Sequence, residues 1–348
     1  MSKHSLDGKY SSGNKRGSLF RERRRLRFPI SLIILGIIAF LFWLIPARPL
    51  DTNLTLRGGF TLPPPTPTPT PLPRPTDVHG GHIIFTCTRG DFNQLCMINA
   101  DGSGFQQLSN TNRHSYYPIF SPQGDTIVFA SNRNGSFDLY MLVLSNSKLF
   151  QLTNNIGNAF SPTFSPDGKQ ILFLNRAAQG PSSMWVTGKL GENPRLLYAG
   201  PNTIVGAAWS PKGDSIAFAM AVDQPNAYEI FLLDPNNPDQ PPKRITQGLQ
   251  GITGSLDWSP DGKYLLICAG PVSGKDVFRF DIVTGEILQL TNGGNNAAAS
   301  YSPDGQYIVY NSLRNNNQAD LYIMRSDGHS TRQLTNDPEP DWQPHWGP

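Results

Sequence analysis

One four-residue phrase recurs through most of the chain and limits its fold more than any other feature. Ser-Pro-x-Gly begins at Ser121, Ser165, Ser210, Ser259 and Ser302, at steps of 44, 45, 49 and 43 residues. A period near 45 with several short strands per unit is the signature of blades stacked about an axis, because one unit of that size cannot hide its own apolar face. Each unit reads the same way. An aromatic (Phe120, Phe164, Trp209, Trp258, Tyr301) closes a first strand, and Ser-Pro-x-Gly makes a tight turn in which Pro sets φ and Gly takes the left-handed position. Alternating apolar residues such as Ile127 and Phe129, or Ile308 and Tyr310, make a second strand; "DLYML" or "DLYIM" makes a third, and a fourth ends in Gln-Leu-Thr. The turn aspartates Asp167, Asp261 and Asp304 are replaced by Gln123 and Lys212 in sister units, so turn chemistry accounts for them without a catalytic role.

The two ends of the repeat region are fragments of one unit. His82 to Asn110 aligns with the second, third and fourth strands, Ile83-Ile84-Phe85 matching Ile127-Val128-Phe129, and it has no first strand. "DWQPHWGP", Asp341 to Pro348, is a first strand alone, and the step from Ser302 to Gly347 is 45. Five whole units and one shared unit predict an all-β, six-bladed propeller whose C-terminal first strand joins the N-terminal blade, removing two open sheet edges. On this reading the domain is complete at Pro348.

The pattern P-x-(F/W)-S-P-D-G…I-x-F…S-x-R…D-L-Y…D-G…Q-L-T resembles the TolB-like bacterial propeller repeats over His82 to Pro348, and lacks the Gly-His and Trp-Asp marks of WD-type repeats. The resemblance implies six blades and an extracytoplasmic interaction role. TolB itself carries an α/β domain ahead of its propeller. Here a different N-terminal region stands in that place, so the partners of TolB, a peptidoglycan-associated lipoprotein and colicins, do not transfer.

That N-terminal region divides by composition. Residues 1–28 form a basic tail with nine Lys/Arg against two acidic residues, a net +7 that leaves −4 on the rest of a chain whose total is +3. A mildly acidic body does not hold a phosphate backbone by counterion release, which excludes nucleic acid as a partner. Residues 29–46, "PISLIILGIIAFLFWLIP", carry no charge, and as a helix the run would span roughly 25 Å, close to a bilayer core. The one-sided positive charge places the N-terminus in the cytoplasm and the propeller outside, a single-pass protein of the bacterial cytoplasmic membrane. A cleaved signal peptide is the competing reading, disfavoured by the long basic leader and by "LIPAR" as a cleavage site. Residues 47–81 are a Pro/Thr-rich linker whose "LPPPTPTPTPLPRPT" favours an extended rod roughly 40 Å long.

The chain lacks a G-x-S-x-G elbow, H-E-x-x-H, a phosphate-binding G-x-x-x-x-G-K-(S/T) loop and a G-x-G-x-x-G after a strand. Six histidines are scattered; of these His114 and His345 both lie near first strands, where ordinary packing accounts for them. No catalytic residue, metal or cofactor is assigned. Cys87 and Cys96 fall on the second and third strands of one hairpin, within reach of a disulfide in an oxidising compartment, while Cys268 aligns with the opposite face as a free thiol. The loops entering the first strands hold Arg113, His114, Tyr116, Asn158, Asn296, Asp341 and Trp342, a polar and aromatic set suited to gripping a ligand at the funnel mouth. The expected function is a protein-binding or scaffold module of the cell envelope, anchored through residues 29–46. A receptor for a small ligand or glycan is the alternative, and a hydrolase or lyase using the funnel a more distant one.

Overall fold

The computed structural model describes residues 80–348 apart from 178–179, 223–226, 273 and 316. The basic tail 1–28, the apolar run 29–46 and nearly all of the linker 47–81 therefore lie outside the described residues. Among those described, no helix is long and apolar enough to cross a membrane. The single-pass topology expected for the chain rests wholly on residues outside the described part, and no described element supplies a span for it.

Six four-stranded antiparallel sheets make up the described residues. Five follow the chain strand by strand. The sixth is composite: Asp341–Gly347 pairs with His82–Arg89, which pairs with Phe92–Asn99 and then with Gln106–Gln107. In it Ile83 faces Trp346 and His82 faces Gly347, so the ends of the propeller share one ladder.

The second strand of each blade departs from the alternation expected of it. From Thr126 to Ser131 every residue is buried, and Tyr307 to Ser312 behaves in the same way. Alternation predicts one dry and one wet face, but here a sheet stacks on each side, so both faces are dry. The apolar clusters accordingly run between blades: Val309, Leu321 and Ile323 of the last blade pack on Ile83, Phe85 and Trp346 of the composite one. Each such side chain contributes about 1.5–3 kcal/mol relative to exposure. The outermost strands are short and wet, as Lys148–Gln151 shows with four exposed residues.

The Ser-Pro-x-Gly turns form as their chemistry requires. Gly168 sits at φ 69° and Gly305 at φ 71°, and their N–H groups donate to the carbonyls of Ser165 and Ser302 at 2.8 Å. Each turn serine donates to a carboxylate: Ser165 to Asp167 at 2.7 Å, Ser259 to Asp261 and Ser302 to Asp304 at 2.6 Å. Where the turn lacks its aspartate, one arrives two residues later, Asp125 for Ser121 at 2.7 Å and Asp214 for Ser210 at 2.8 Å. The serine bond holds the carboxyls of Asp125, Asp167 and Asp261 below the usual aspartate range. The turns also touch in sequence around the ring. A Cβ on Gly305 would stand 3.3 Å from Pro260, and one on Gly124 would stand 2.9 Å from Pro348, so the last residue takes the turn proline's place in the composite blade.

Cys87 and Cys96 are joined by a disulfide with Cα atoms 5.8 Å apart. They are diagonal neighbours, since Cys96 is the register partner of Phe85 and Cys87 that of Gln94. Both are fully buried in the core shared by the last and the composite blade. Cys268 is free and buried, and burial pushes its thiol up to about 11.

Candidate functional site

The innermost strands of the six blades, Ser115–Phe120, Asn158–Phe164, Ile204–Trp209, Leu256–Trp258, Asn296–Tyr301 and Asp341–Gly347, meet at the axis. Four of them bend at the same place. Tyr117, Ser161, Ala298 and Gln343, each three residues before the closing aromatic, sit at φ 54°, 52°, 53° and 52°. In each case the register with the second strand slips at that point, the mark of a β-bulge. Three are followed by proline (Pro118, Pro162, Pro344), whose missing N–H costs nothing where the ladder is already broken. In the fourth blade the position is Gly206, and there bulk is forbidden: a Cβ would collide with the carbonyl of Gly254 in the next blade.

Two positions beyond the bulge, one side chain per blade faces a narrow channel of about 110 Å3: Ile119, Thr163, Ala208, Asp257, Ser300 and His345. Burial raises the Asp257 carboxyl to about 7, against the opposing hydrogen bonds from the Tyr301 N–H, at 2.7 Å, and from Ser300. Burial likewise pushes His345 down to about 4, which leaves it neutral; its Nδ1 accepts the Phe120 N–H at 3.4 Å.

Above the bulges the channel opens into a funnel of about 650 Å3. Its walls are unlike. On one side stand Tyr116, Tyr117, Phe160 and Trp342; on the other the chain offers Val205, Gly254, Ala297 and Ala298. The aromatic wall is braced from behind, His114 stacking on Tyr116 at 5.8 Å and Phe137 tilting against it at 5.9 Å, with Tyr117 6.3 Å from Phe160. Asn93 Nδ2 donates to the Tyr116 hydroxyl at 2.7 Å. Gln343 ties the wall to the ring closure, because its Oε1 accepts both the Thr86 hydroxyl and the Tyr117 N–H at 3.0 Å.

Of the residues singled out in the sequence, the funnel brings together Tyr116 and Trp342. His114 stands behind that wall, between Phe92 and Tyr116, with its Nδ1 accepting the Asn93 N–H at 3.3 Å. Arg113 is exposed on the adjoining loop. Asn158 accepts the Phe137 N–H at 3.2 Å, and Asn296 and Asp341 are fully buried at blade junctions. His114 and His345 do not share a cavity: His345 lines the channel and His114 neither cavity. Among the described residues no group of three or more His, Cys, Asp or Glu side chains has a geometry that holds a metal ion. Tyr117, Phe160, Gln343 and Asp257 were missed by the sequence reading, which considered His345 only beside His114. The signal that finds them is their offset from the aromatic of each repeat.

The sequence model of the TolB beta propeller domain matches residues 79–238 and again 181–348. Among curated relatives, an uncharacterized protein of Agrobacterium fabrum is 39% identical over 92 residues, 26% of this chain and 31% of that protein. The Tol-Pal system protein TolB of Anaeromyxobacter dehalogenans is 30% identical over 97 residues, 28% of this chain and 22% of that one. The chain thus spans less than a third of the length of these relatives. Among solved structures, TolB from Acinetobacter baumannii superposes with a TM-score of 0.68 at 24% identity, covering 77% of this chain and 67% of that one. The nidogen/laminin complex superposes at 0.63 with 10% identity, over 77% and 98%. At such identities the structural likeness shows the fold. The matches to Tol-Pal system TolB proteins also stand against the single-pass topology in the cytoplasmic membrane.

Proposed function

The chain belongs to the family of the TolB beta propeller domain, and on that premise we propose that its propeller is an extracytoplasmic protein-binding module of the bacterial cell envelope, without catalytic function. Residues 82–348 are the binding body, and the Pro/Thr-rich stretch within 47–81 is the spacer that precedes it. The observation that carries the reading is the unlike pair of funnel walls. A rigid aromatic wall gives contact area at low entropy cost, and the facing wall of small residues leaves room for a side chain to enter. A cleft of about 650 Å3 suits one or two anchor residues of an extended peptide segment rather than a docked globular face.

The test is site-specific photo-crosslinking in the native cells. A crosslinker at Tyr116 is expected to capture a defined envelope protein, and the capture should vanish when Trp342 is changed to Ala. A crosslinker at Val283, 88% exposed on an outer turn, is the control. Identical captures from both positions, or turnover of a sugar or peptide by the purified chain, would overturn the proposal.

A further inference from the structure

The junction between the fifth and sixth blades shows how a buried carboxylate is satisfied in this fold. Thr291 Oγ1 donates to Asp276 Oδ1 at 2.8 Å, and Asn296 Nδ2 donates to the same oxygen at 3.0 Å, to Thr291 Oγ1 at 2.9 Å and to the Gly293 carbonyl at 3.0 Å. One blade further on, at the seam where the ring closes, Asp320 stands in the place of Asp276 and Thr335 in the place of Thr291, each 44 residues later. The third member is changed. Asp341 opens its innermost strand two residues before the left-handed Gln343, just as Asn296 stands two before Ala298.

The exchange of Asn for Asp removes the amide donor and leaves two carboxylates where one was. Asp341 is 0% exposed, and among the described residues neither of its carboxylate oxygens has a hydrogen-bond partner; Asp320, 4% exposed, accepts Gln333 Nε2 at Oδ2 at 3.0 Å, but its Oδ1 has no such partner. Arg89, on the second strand of the composite blade, does not repair this. Its guanidinium is engaged with Asp337 at 2.9 Å, and stands 3.9 Å from Glu339 and 4.0 Å from Asp341. Facing Asp341 are thus Asp320 from the sixth blade, Asp337 and Glu339 from the connecting loop, Arg89, and the Thr335 hydroxyl. Cys87, its register partner, is in the disulfide and carries no proton. Several carboxylates oppose one guanidinium: Asp341 and Asp320 are buried, while Arg89, Asp337 and Glu339 keep 22%, 32% and 38% of their side-chain surface exposed.

We propose that Asp341 and Asp320 share a proton, the Asp341 hydroxyl donating to Asp320 Oδ1 in place of the missing amide, and that this proton is a latch on the strand that closes the ring. Its loss leaves two buried anions in contact, and the strain falls on Asp341–Gly347. That strand also carries Trp342 and Gln343, so the funnel wall follows the latch. Burial, then the charge of Asp337, pushes Asp341 up to about 8, with Arg89 and Thr335 acting the other way; burial and Asp337 push Asp320 up to about 6. A carboxyl raised in the folded state binds more protons there than in the unfolded chain. Its stabilising effect is whole at low pH and is lost as pH rises from about 4 to about 8.

The experiment measures the melting temperature of the full-length chain between pH 6 and pH 9, for the parent, Asp341→Asn and Asp320→Asn. The parent is expected to lose about 5 °C or more over that range. Asp341→Asn, which rebuilds the Asn296 arrangement, should melt higher than the parent at pH 9 and lose most of the slope. Asp320→Asn should flatten the slope as well, and serves if the first variant does not fold. Hydrogen exchange in the 341–347 peptide, corrected for the intrinsic rate, should rise with pH in the parent and not in Asp341→Asn. Equal slopes in all three chains would overturn the latch. So would a rise in the parent's melting temperature on adding calcium at pH 8 that Asp341→Asn lacks, since the seam would then take a cation instead of a proton.

Discussion

Ile83 and Trp346 are register partners in one antiparallel ladder, although one lies near the start of the described residues and the other near their end. Trp346 is 4% exposed and stacks on Tyr307 of the last blade at 6.3 Å, so a single side chain joins both ends of the ring. Trp346→Ala is expected to cost about 3–5 kcal/mol. Deleting 341–348 should do more, exposing the edge of His82–Arg89 to other chains. Urea unfolding and light scattering check both, and a truncated chain that stays monomeric with an unchanged midpoint would contradict closure as a stabilising device.

The Cys87–Cys96 bridge crosses the two strands that the closing strand extends. Replacing both with Ser should lower stability by about 2–3 kcal/mol. The same loss should follow when the parent is unfolded in reductant, whereas Cys268 should resist alkylation until the chain unfolds. Mass spectrometry showing Cys87 and Cys96 alkylated in the native, unreduced chain would remove the bridge.

Gly206 and Gly254 bring the fourth and fifth blades together backbone to backbone at the funnel floor. Because the obstacle to a Cβ is a carbonyl rather than a flexible side-chain end, Gly206→Ala should destabilise by about 3 kcal/mol. Gly285→Ala, with nothing near its Cα but a left-handed φ of 76°, should cost only about 1 kcal/mol. Thermal melts of the two variants side by side give the comparison.

His345 supplies the opposite pH limb to Asp341. The unfolded histidine takes a proton below its ordinary value of 6.5, while the folded one stays neutral down to about 4. The unfolded state therefore holds more protons in that window, so this residue's contribution grows as pH rises from about 4 to 6.5 and is lost on acidification. The difference in unfolding free energy between the parent and His345→Gln should change by on the order of 2 kcal/mol between pH 4.5 and pH 6.5. A constant difference would show that the channel is wet enough for His345 to titrate normally.

Much of the molecule is legible along the chain because it depends on local chemistry. The period of Ser-Pro-x-Gly gives the number of blades, the left-handed glycines give the turns, and a first strand without successors at Asp341 predicts its pairing with His82. The candidate site is less legible. Tyr116 and Trp342 belong to the loops by sequence and to the funnel in space, but Asn296 and Asp341, from equally polar entry positions, turn inward to junctions between blades. Nothing near them in sequence distinguishes the two fates, because burial is set by the neighbouring sheet. The alternation in Ile127 and Phe129 misled for the same reason, since the second covering layer comes from another repeat.

The amino-acid order alone thus determined the all-β class, six units and a shared closing blade, because turns and strand pairing act over a few residues and repeat with the sequence. Only the tertiary structure decided which side chains meet across the axis and across the seam: the unlike funnel walls, the Asp257 and His345 positions in the channel, and the buried carboxyls of Asp320 and Asp341. Those meetings depend on how one sheet is staggered and twisted on the next, and that geometry comes from the sum of all the interfaces in a closed ring.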